Sequence, residues 1–118
     1  MELCEVIFAI TATGPASADA EFRDQIRNAA KHAPSLIAEG FARFTTAEFV
    51  RYLRMARGEL GEVQSDLQLG RTAKYFSPDD ADRAELIARR AMGTTTNLLK
   101  SKLRQLEEEA RRKRRRRR

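Results

Sequence analysis

Apolar residues recur at helical spacing over the middle of the chain, from Phe22 to Leu69. In the later half, successive apolar positions are separated alternately by four and three residues. This spacing places them in one seam of a helix that packs at a shallow angle against its neighbours. The seam consists of Phe49, Leu53, Ala56, Leu60, Val63 and Leu67. The earlier half repeats the pattern with Phe22, Ile26, Ala29, Ala33, Leu36 and Ile37. Two long amphipathic helices are therefore predicted.

A polar break from Gly40 to Thr45 separates these two helices. The sequence Thr45-Thr46-Ala47-Glu48 has the form of a capping box. In this motif the threonine hydroxyl accepts a hydrogen bond from a free amide of the next helix, and the glutamate reaches back. We therefore expect a helical hairpin whose first arm ends near Glu39 and whose second arm runs from about Thr46 to Lys74.

Three residues within the hairpin are unfavourable in helix interiors. Pro34 removes an amide donor and is expected to bend its helix near residues 30–33. Gly58 and Gly61 each cost about 0.5–1 kcal/mol relative to alanine. Close packing against another helix is the plain explanation for both glycines, and backbone approach to a ligand is the alternative.

The flanking segments also favour helices. Residues 2–11 carry apolar side chains at helical spacing. The run from Val6 to Ile10 would also fit a buried strand, but no second strand candidate exists to pair with it. Adjacent Gly14 and Pro15 predict a loop from Ala12 to Ser17, with Ser17 or Asp19 capping the following helix.

The last helix is predicted to begin at Pro78, because serine, proline and two aspartates in a row are typical of a helix start. We expect it to continue to about Ala110. The predicted fold class is all-α, an antiparallel up-down-up-down four-helix bundle with a short first helix. The bundle domain spans residues 1–110, and residues 111–118 form a basic tail that is disordered or a fraying helical extension.

The charge of the chain is unevenly placed. Eight of its 23 lysines and arginines lie between Arg111 and Arg118, and the other 15 stand against 17 acidic residues. The chain therefore owes its net charge of +6 to the tail. The single cysteine, Cys4, excludes an internal disulfide and fits a reducing compartment. No apolar run approaches the roughly 20 residues that span a bilayer, so we expect a cytoplasmic protein without membrane contact.

Candidates for catalysis are lacking. A carboxylate-bridged metal pair in a helix bundle requires Glu-x-x-His on two helices. The chain has one histidine, His32, and the residue three positions earlier is Ala29. Cys4 lies in an apolar segment without a histidine nearby, which is typical of a structural thiol. We expect no enzymatic activity, no cofactor and no metal.

Three glutamates are predicted to serve as structural polar groups. Glu48 belongs to the capping box, whereas Glu39 and Glu62 should lie close to the apolar seams. Buried carboxylates need partners, which nearby arginines can supply through paired hydrogen bonds.

Cations supply the remaining candidate chemistry. Arg51, Arg54 and Arg57 recur at three-residue spacing and so form a band on one helix. Eight consecutive cations in the tail are typical of an arm that binds RNA or DNA phosphates. The alternatives are a solvated face balanced by acids and a solubilising extension. The tail has no aromatic residue, so its recognition should be largely independent of sequence. The predicted nucleic-acid-binding residues are Arg27, Lys31, Arg43, Arg51, Arg54, Arg57, Arg111, Arg112, Lys113, Arg114, Arg115, Arg116, Arg117 and Arg118.

Several segments of the hairpin resemble one bacterial protein family. They are Gln25–Ala30, Ala33–Gly40, Arg43, Glu48–Gly58 and Glu62–Leu67. An Ile-Ala-Glu-Gly run followed at a fixed distance by Glu-Phe is fairly specific among them. The family is that of four-helix-bundle proteins first met as reading frames within intervening sequences of 23S ribosomal RNA genes. It is related to the accessory variability determinant of diversity-generating retroelements. The likeness is close from Phe22 to Ser77 and looser over the last helix.

This resemblance implies a homopentamer, in which five bundles form a barrel with a central channel and a basic surface. Retroelement relatives bind a reverse transcriptase and its template RNA. We therefore expect a non-catalytic nucleic-acid-binding accessory protein that forms a homopentameric barrel and assists a reverse transcriptase. An oligomeric protein-interaction scaffold without a direct nucleic-acid role is the alternative. Resembling proteins carry a longer first helix, which leaves the closure of the bundle along that helix open. The residues expected at subunit contacts and on the basic surface are Gln25, Arg27, Glu39, Arg43, Glu48 and Arg51.

Overall fold

The computed structural model describes residues 2–117 and contains helices and no strands in that range. The helices are α1 (Glu2–Ile10), α2 (Gly14–Ala18), α3 (Ala20–Phe41), α4 (Thr46–Thr72) and α5 (Pro78–Arg116). The all-α prediction is confirmed, and α3 continues through Pro34 without a break. The prediction of a loop from Ala12 to Ser17 was wrong in part, because its residues from Gly14 onward belong to α2. Gly14 takes a φ of 70° before this short helix, and Pro15 lies in its first turn.

Four helices form a closed ring of contacts. Helix α1 packs on α3 and α5, and α4 packs on the same two helices from the other side. The chain reverses at each short connection, so neighbouring helices are antiparallel. This arrangement agrees with the predicted up-down-up-down bundle, in which α2 is a small addition packed on α3.

The short first helix divides the core into two parts. In one part, Leu3 and Ile7 of α1 are buried against Ile26, Leu60 and their neighbours. The other part is a smaller cluster formed by α3, α4 and α5 around Leu53. Beside the start of α1, a groove of about 250 Å³ opens over Ile37, Ile87 and Thr94, among other residues. Helix α1 therefore closes the bundle over one half of its length, and three helices make up the other half.

Side-chain caps fix the starts of the three long helices. Asp19 accepts a hydrogen bond from the Phe22 amide, Thr45 accepts from the Glu48 amide, and Ser77 accepts from the Asp80 amide. Each cap satisfies one of the amides that a helix start leaves without a partner. The capping signals at Thr45 and Ser77 were therefore interpreted correctly, and Asp19 is the cap of α3.

Two contacts tie the α4–α5 connection to the rest of the bundle. Lys74 takes a φ of 58°, which lets the Tyr75 amide donate to the Gly70 carbonyl at 2.9 Å and end α4. The Tyr75 hydroxyl then donates to Asp19 at 2.6 Å. This hydrogen bond and the one from the Phe22 amide hold the pKa of Asp19 below its usual value. The start of α3 and the end of α4 are thus joined at one end of the bundle.

Close packing occurs at different glycines from those expected. A methyl group on Gly58 would meet nothing within 4 Å, and one on Gly61 would lie 3.9 Å from Met92. The packing explanation offered for these two glycines was therefore wrong. A methyl group on Gly40 would lie 2.7 Å from the Phe49 ring, and one on Gly70 would lie 2.9 Å from the Phe22 ring. At Gly40 and Gly70 the absence of a side chain therefore lets an aromatic ring pack directly against the helix backbone.

Candidate nucleic-acid interface

The predicted basic tail is the end of α5. Residues 111–117, hereafter the cationic segment, are all exposed, and the helix continues through Arg116. Of the two expected forms, the structure shows the helical extension. Arg118 lies outside the described residues.

Helical structure in the cationic segment has an identifiable cause. The segment follows Glu107, Glu108 and Glu109, which lie four residues before Arg111, Arg112 and Lys113. Glutamate four residues before a cation stabilises a helix, and cations at a helix C-terminus interact favourably with its dipole. Arg111 pairs with Glu107 at 2.9 Å, and within residues 2–117 no other residue of the segment forms an ion pair. Repulsion between like charges acts against the helix beyond Arg112.

The arginine band of α4 also faces solvent. Arg51, Arg54 and Arg57 are exposed, and over the described part of the chain none of them takes part in an ion pair or a side-chain hydrogen bond. Arg51 lies four residues before Met55, and Arg54 lies four residues before Gly58. Both arginines therefore share a helix face with residues that line a groove between α3 and α4. The structure brings the band together as an open cationic surface.

The other predicted cations of the bundle differ in exposure and in their contacts. Arg27 is half-buried, donates to the Thr11 hydroxyl at 2.8 Å and lies over the Phe8 ring at 4.6 Å. It thereby joins α3 to the end of α1 and has little freedom to bind a phosphate. Lys31 is exposed one turn further along α3. Arg43 lies over the Tyr52 ring at 4.6 Å and donates to its hydroxyl.

The predicted structural carboxylates lie at the surface. Glu39 is exposed and approaches Arg43 at 3.9 Å, while Glu62 is exposed on α4. Neither carboxylate is buried beside the apolar seams, although Glu39 lines a groove together with Leu36 of the first seam. Glu48 donates its amide to the Thr45 cap and its carboxylate accepts from the Thr45 hydroxyl at 3.3 Å, whereas in a complete capping box the carboxylate accepts from the backbone amide of the capping residue.

Asp66 is a buried carboxylate of α4. Only 5% of its surface is exposed. Its Oδ1 atom accepts from Gln25 at 3.0 Å, whereas Oδ2 has no hydrogen-bond partner among residues 2–117. Burial, together with repulsion from Glu62, raises the pKa of Asp66, and the hydrogen bond from Gln25 only partly opposes this. The sequence contained a signal, because Asp66 follows Val63 by three residues and so flanks the buried seam.

We predict that Asp66→Asn removes a pH-dependent loss of stability. The raised pKa means that the folded state of the wild-type chain holds a proton that the unfolded state has released. Stability therefore falls as pH rises from about 4 through the folded pKa, and stays lower above it. The difference in unfolding free energy between variant and wild type should therefore grow in favour of the variant over that window. Urea denaturation at a series of pH values measures it.

A matched control for this prediction is Glu62→Gln, which keeps Asp66 and removes its charged neighbour. The fall in stability should then cover a narrower pH range. Equal pH profiles for the wild type and Asp66→Asn would show that Asp66 ionises normally in the folded protein.

A groove between α3 and α4 lies near these cations. Its volume is about 460 Å³, and its lining includes Leu36 and Met55 beside His32 and Glu59. Gly58 leaves one wall of the groove open. His32 is exposed, as expected for a residue on a helix surface. The lining is mainly apolar, so the groove is suited to packing against another surface.

Other reactive groups are held in structural contacts. The Cys4 thiol donates to the Ala30 carbonyl at 2.9 Å, and burial raises the pKa of this thiol. Among residues 2–117, no three His, Cys, Asp or Glu side chains cluster closely enough to hold a metal ion. Over the same range, no helix combines the length and the apolar character needed to cross a membrane.

The fold and these surfaces identify the chain as a small helical-bundle protein whose helix α5 ends in a strongly cationic segment. The family model described as 23S rRNA-intervening sequence protein matches residues 1–97, and the chain belongs to that family. No curated protein matches the sequence significantly. The family match ends within α5, so the cationic segment lies outside it.

Proposed function

We propose that this chain is a non-catalytic accessory protein that binds the phosphate backbone of RNA or DNA through the cationic segment. The observation that carries the proposal is a helix end whose cations from Arg112 to Arg117 are exposed and form no ion pair among the described residues. Proteins that bind nucleic acid use such cations to neutralise phosphates and release counterions. Arg51, Arg54 and Arg57 supply a second cationic surface on the same molecule.

We further propose that the protein acts in the cytoplasm as a homopentamer and assists a reverse transcriptase of a diversity-generating retroelement. The resemblance of the hairpin to the family supports the pentamer and this setting. The open groove between α3 and α4 and the exposed Met55 add support, since a small domain gains stability by burying such a surface between copies.

The salt dependence of RNA binding tests the central claim. If all six cations from Arg112 to Arg117 neutralise phosphates of a single strand, the logarithm of the binding constant should fall against log salt with a slope of about −4. Fluorescence anisotropy with a labelled RNA between about 50 and 200 mM salt measures this slope. A slope near zero, or no binding at the lowest salt, contradicts the proposal.

An oligomeric protein-interaction scaffold is the second candidate, favoured by the apolar groove. Met55→Glu places a charge at this groove and should disrupt assembly, measured by light scattering against a protomer mass of 13.4 kDa. A pentamer in the wild type that binds no RNA, but captures a defined protein partner after nuclease treatment, would favour the scaffold. A wild-type monomer contradicts both oligomeric models.

A further inference from the structure

Two phenylalanines are exposed at the turn between α3 and α4. The whole surface of Phe44 is accessible, and 65% of Phe41 is exposed. Phe41 contacts the buried Phe49 ring, with centroids 4.6 Å apart. Phe44 has no aromatic partner among the described residues. The two rings together present an exposed apolar surface at this turn, which a bound partner would cover.

The cationic segment lies at this same end of the molecule. The Thr46 hydroxyl donates to Glu109 at 2.8 Å, and Gln105 donates to the Thr46 hydroxyl at 3.3 Å. These bonds fix the last turns of α5 beside the first turn of α4, two residues after Phe44. Because α5 runs antiparallel to α4, its remaining residues extend past that turn. At 1.5 Å per residue, Arg112 to Arg116 lie roughly 5 to 10 Å beyond Glu109 along the helix axis.

Three of the acidic groups near the turn have partners within the described residues, whereas Glu108 is exposed and has none. Glu48 accepts from Thr45, Glu109 accepts from Thr46, and Glu107 pairs with Arg111. Within the described residues the cations beyond Arg111 form no ion pair, so they are available to bind an external anion. An exposed aromatic ring beside such cations is the combination by which proteins hold single-stranded nucleic acid, with bases stacked on the ring and phosphates on the cations.

We propose that an unpaired base of a single-stranded nucleic acid stacks on Phe44 while neighbouring phosphates bind the cationic segment. This inference rests on the proposed function and adds to it a preference for single strands over duplexes. A base within a duplex is already stacked on its neighbours and offers no free face to the ring. Stacking uses the flat face of a base and not its hydrogen-bonding groups. The preference for single strands should therefore hold for all four bases.

A tryptophan substitution provides a direct probe, because the chain contains no tryptophan. In Phe44→Trp the new indole is the only one in the protein, and stacking of a base on it should quench its fluorescence. We expect quenching on addition of oligouridylate of roughly 16 nucleotides, the upper site size for comparable single-strand binders. An RNA duplex of similar length should cause little quenching. Equal quenching by both, or by neither when both bind, overturns the stacking proposal.

Affinity measurements separate this inference from the proposed function. Phe44→Ala should weaken binding to oligouridylate by about five- to a hundredfold, the range typical of one base–aromatic stack. Its affinity for the duplex should not change. Phe44→Leu is the matched control that keeps an apolar side chain without a planar ring, and it should behave like Phe44→Ala.

The remaining outcomes are also decisive. Wild-type protein that binds neither nucleic acid refutes the proposed function, and the stacking proposal with it. Binding of both forms without any effect of Phe44→Ala refutes stacking alone. If Phe44→Ala changes the sedimentation of the protein and leaves oligouridylate binding intact, the ring covers a protein surface, which again refutes stacking. Since Phe44 is fully exposed, we expect these variants to fold normally.

Discussion

Replacement of the six cations from Arg112 to Arg117 by glutamine should weaken RNA binding at moderate salt by at least about a hundredfold. Each cation that neutralises a phosphate contributes about 0.7 to 0.9 to the salt slope, so the slope should lose about four to five units. The substitutions remove six positive charges from a chain whose net charge is +6, which leaves it neutral overall. Anisotropy titrations at several salt concentrations measure both quantities.

A charge-matched pair of variants distinguishes local binding from a general effect of net charge. One carries glutamine at Arg112, Arg114 and Arg116, and the other carries it at Arg83, Arg89 and Arg90. The second set lies in the first half of α5 and is also exposed. Both lose three charges, but only the first should lose most of its affinity. An equal loss in the two variants would mean that the cationic segment holds no particular site.

Gly70→Ala and Gly58→Ala should change stability in opposite directions. At Gly70 the added methyl group would collide with the ring of Phe76 and would lie 2.9 Å from the ring of Phe22. Overpacking of this kind typically costs about 1–3 kcal/mol, and it exceeds the roughly 1 kcal/mol that alanine gains over glycine in a helix. At Gly58 the methyl group meets no other atom, so the helix gain should appear alone, at about 0.5–1 kcal/mol.

The physical cause of the Gly70 effect lies in an aromatic cluster. The Phe22 ring packs against Tyr75 at 5.0 Å and Phe76 at 6.4 Å between centroids. Displacement of either ring would disturb the contact that joins α3 to the end of α4. We expect a net loss of roughly 1 kcal/mol for Gly70→Ala, which should place its melting temperature about 8 °C below that of Gly58→Ala. Thermal denaturation followed by circular dichroism tests this. An increase in melting temperature for both variants would contradict the packing described at Gly70.

The hydrophobic pattern predicted most of the helices because it records a local periodicity. Leu53, Leu60 and Leu67 recur at positions that face one side of any α-helix, and all three are fully buried. The caps at Thr45 and Ser77 are equally local, since the residues that form them lie three positions apart. The short helix α2 was missed because glycine and proline usually end a helix, whereas here Pro15 occupies the first turn of one.

The candidate interface was only partly predictable. Eight consecutive cations are evident in the sequence, and so is the spacing of Arg51, Arg54 and Arg57. The engagement of Arg27 with Thr11 could not be inferred, because Arg27 lies on α3 and Thr11 follows the end of α1, 16 positions earlier in the chain. The proximity of Phe44 to the cationic segment was missed for the same reason, since more than sixty positions separate them in the chain.

The sequence by itself determined the helical periodicity, the helix starts and the total charge, including its concentration in the last eight residues. These properties depend on residues within one or two turns of each other. Tertiary structure decided which glycines lie against aromatic rings, that Asp66 is buried, and that an exposed ring lies near the cationic end of α5. Those outcomes depend on how distant segments pack together, because burial and proximity are set by neighbouring helices and not by position along one helix.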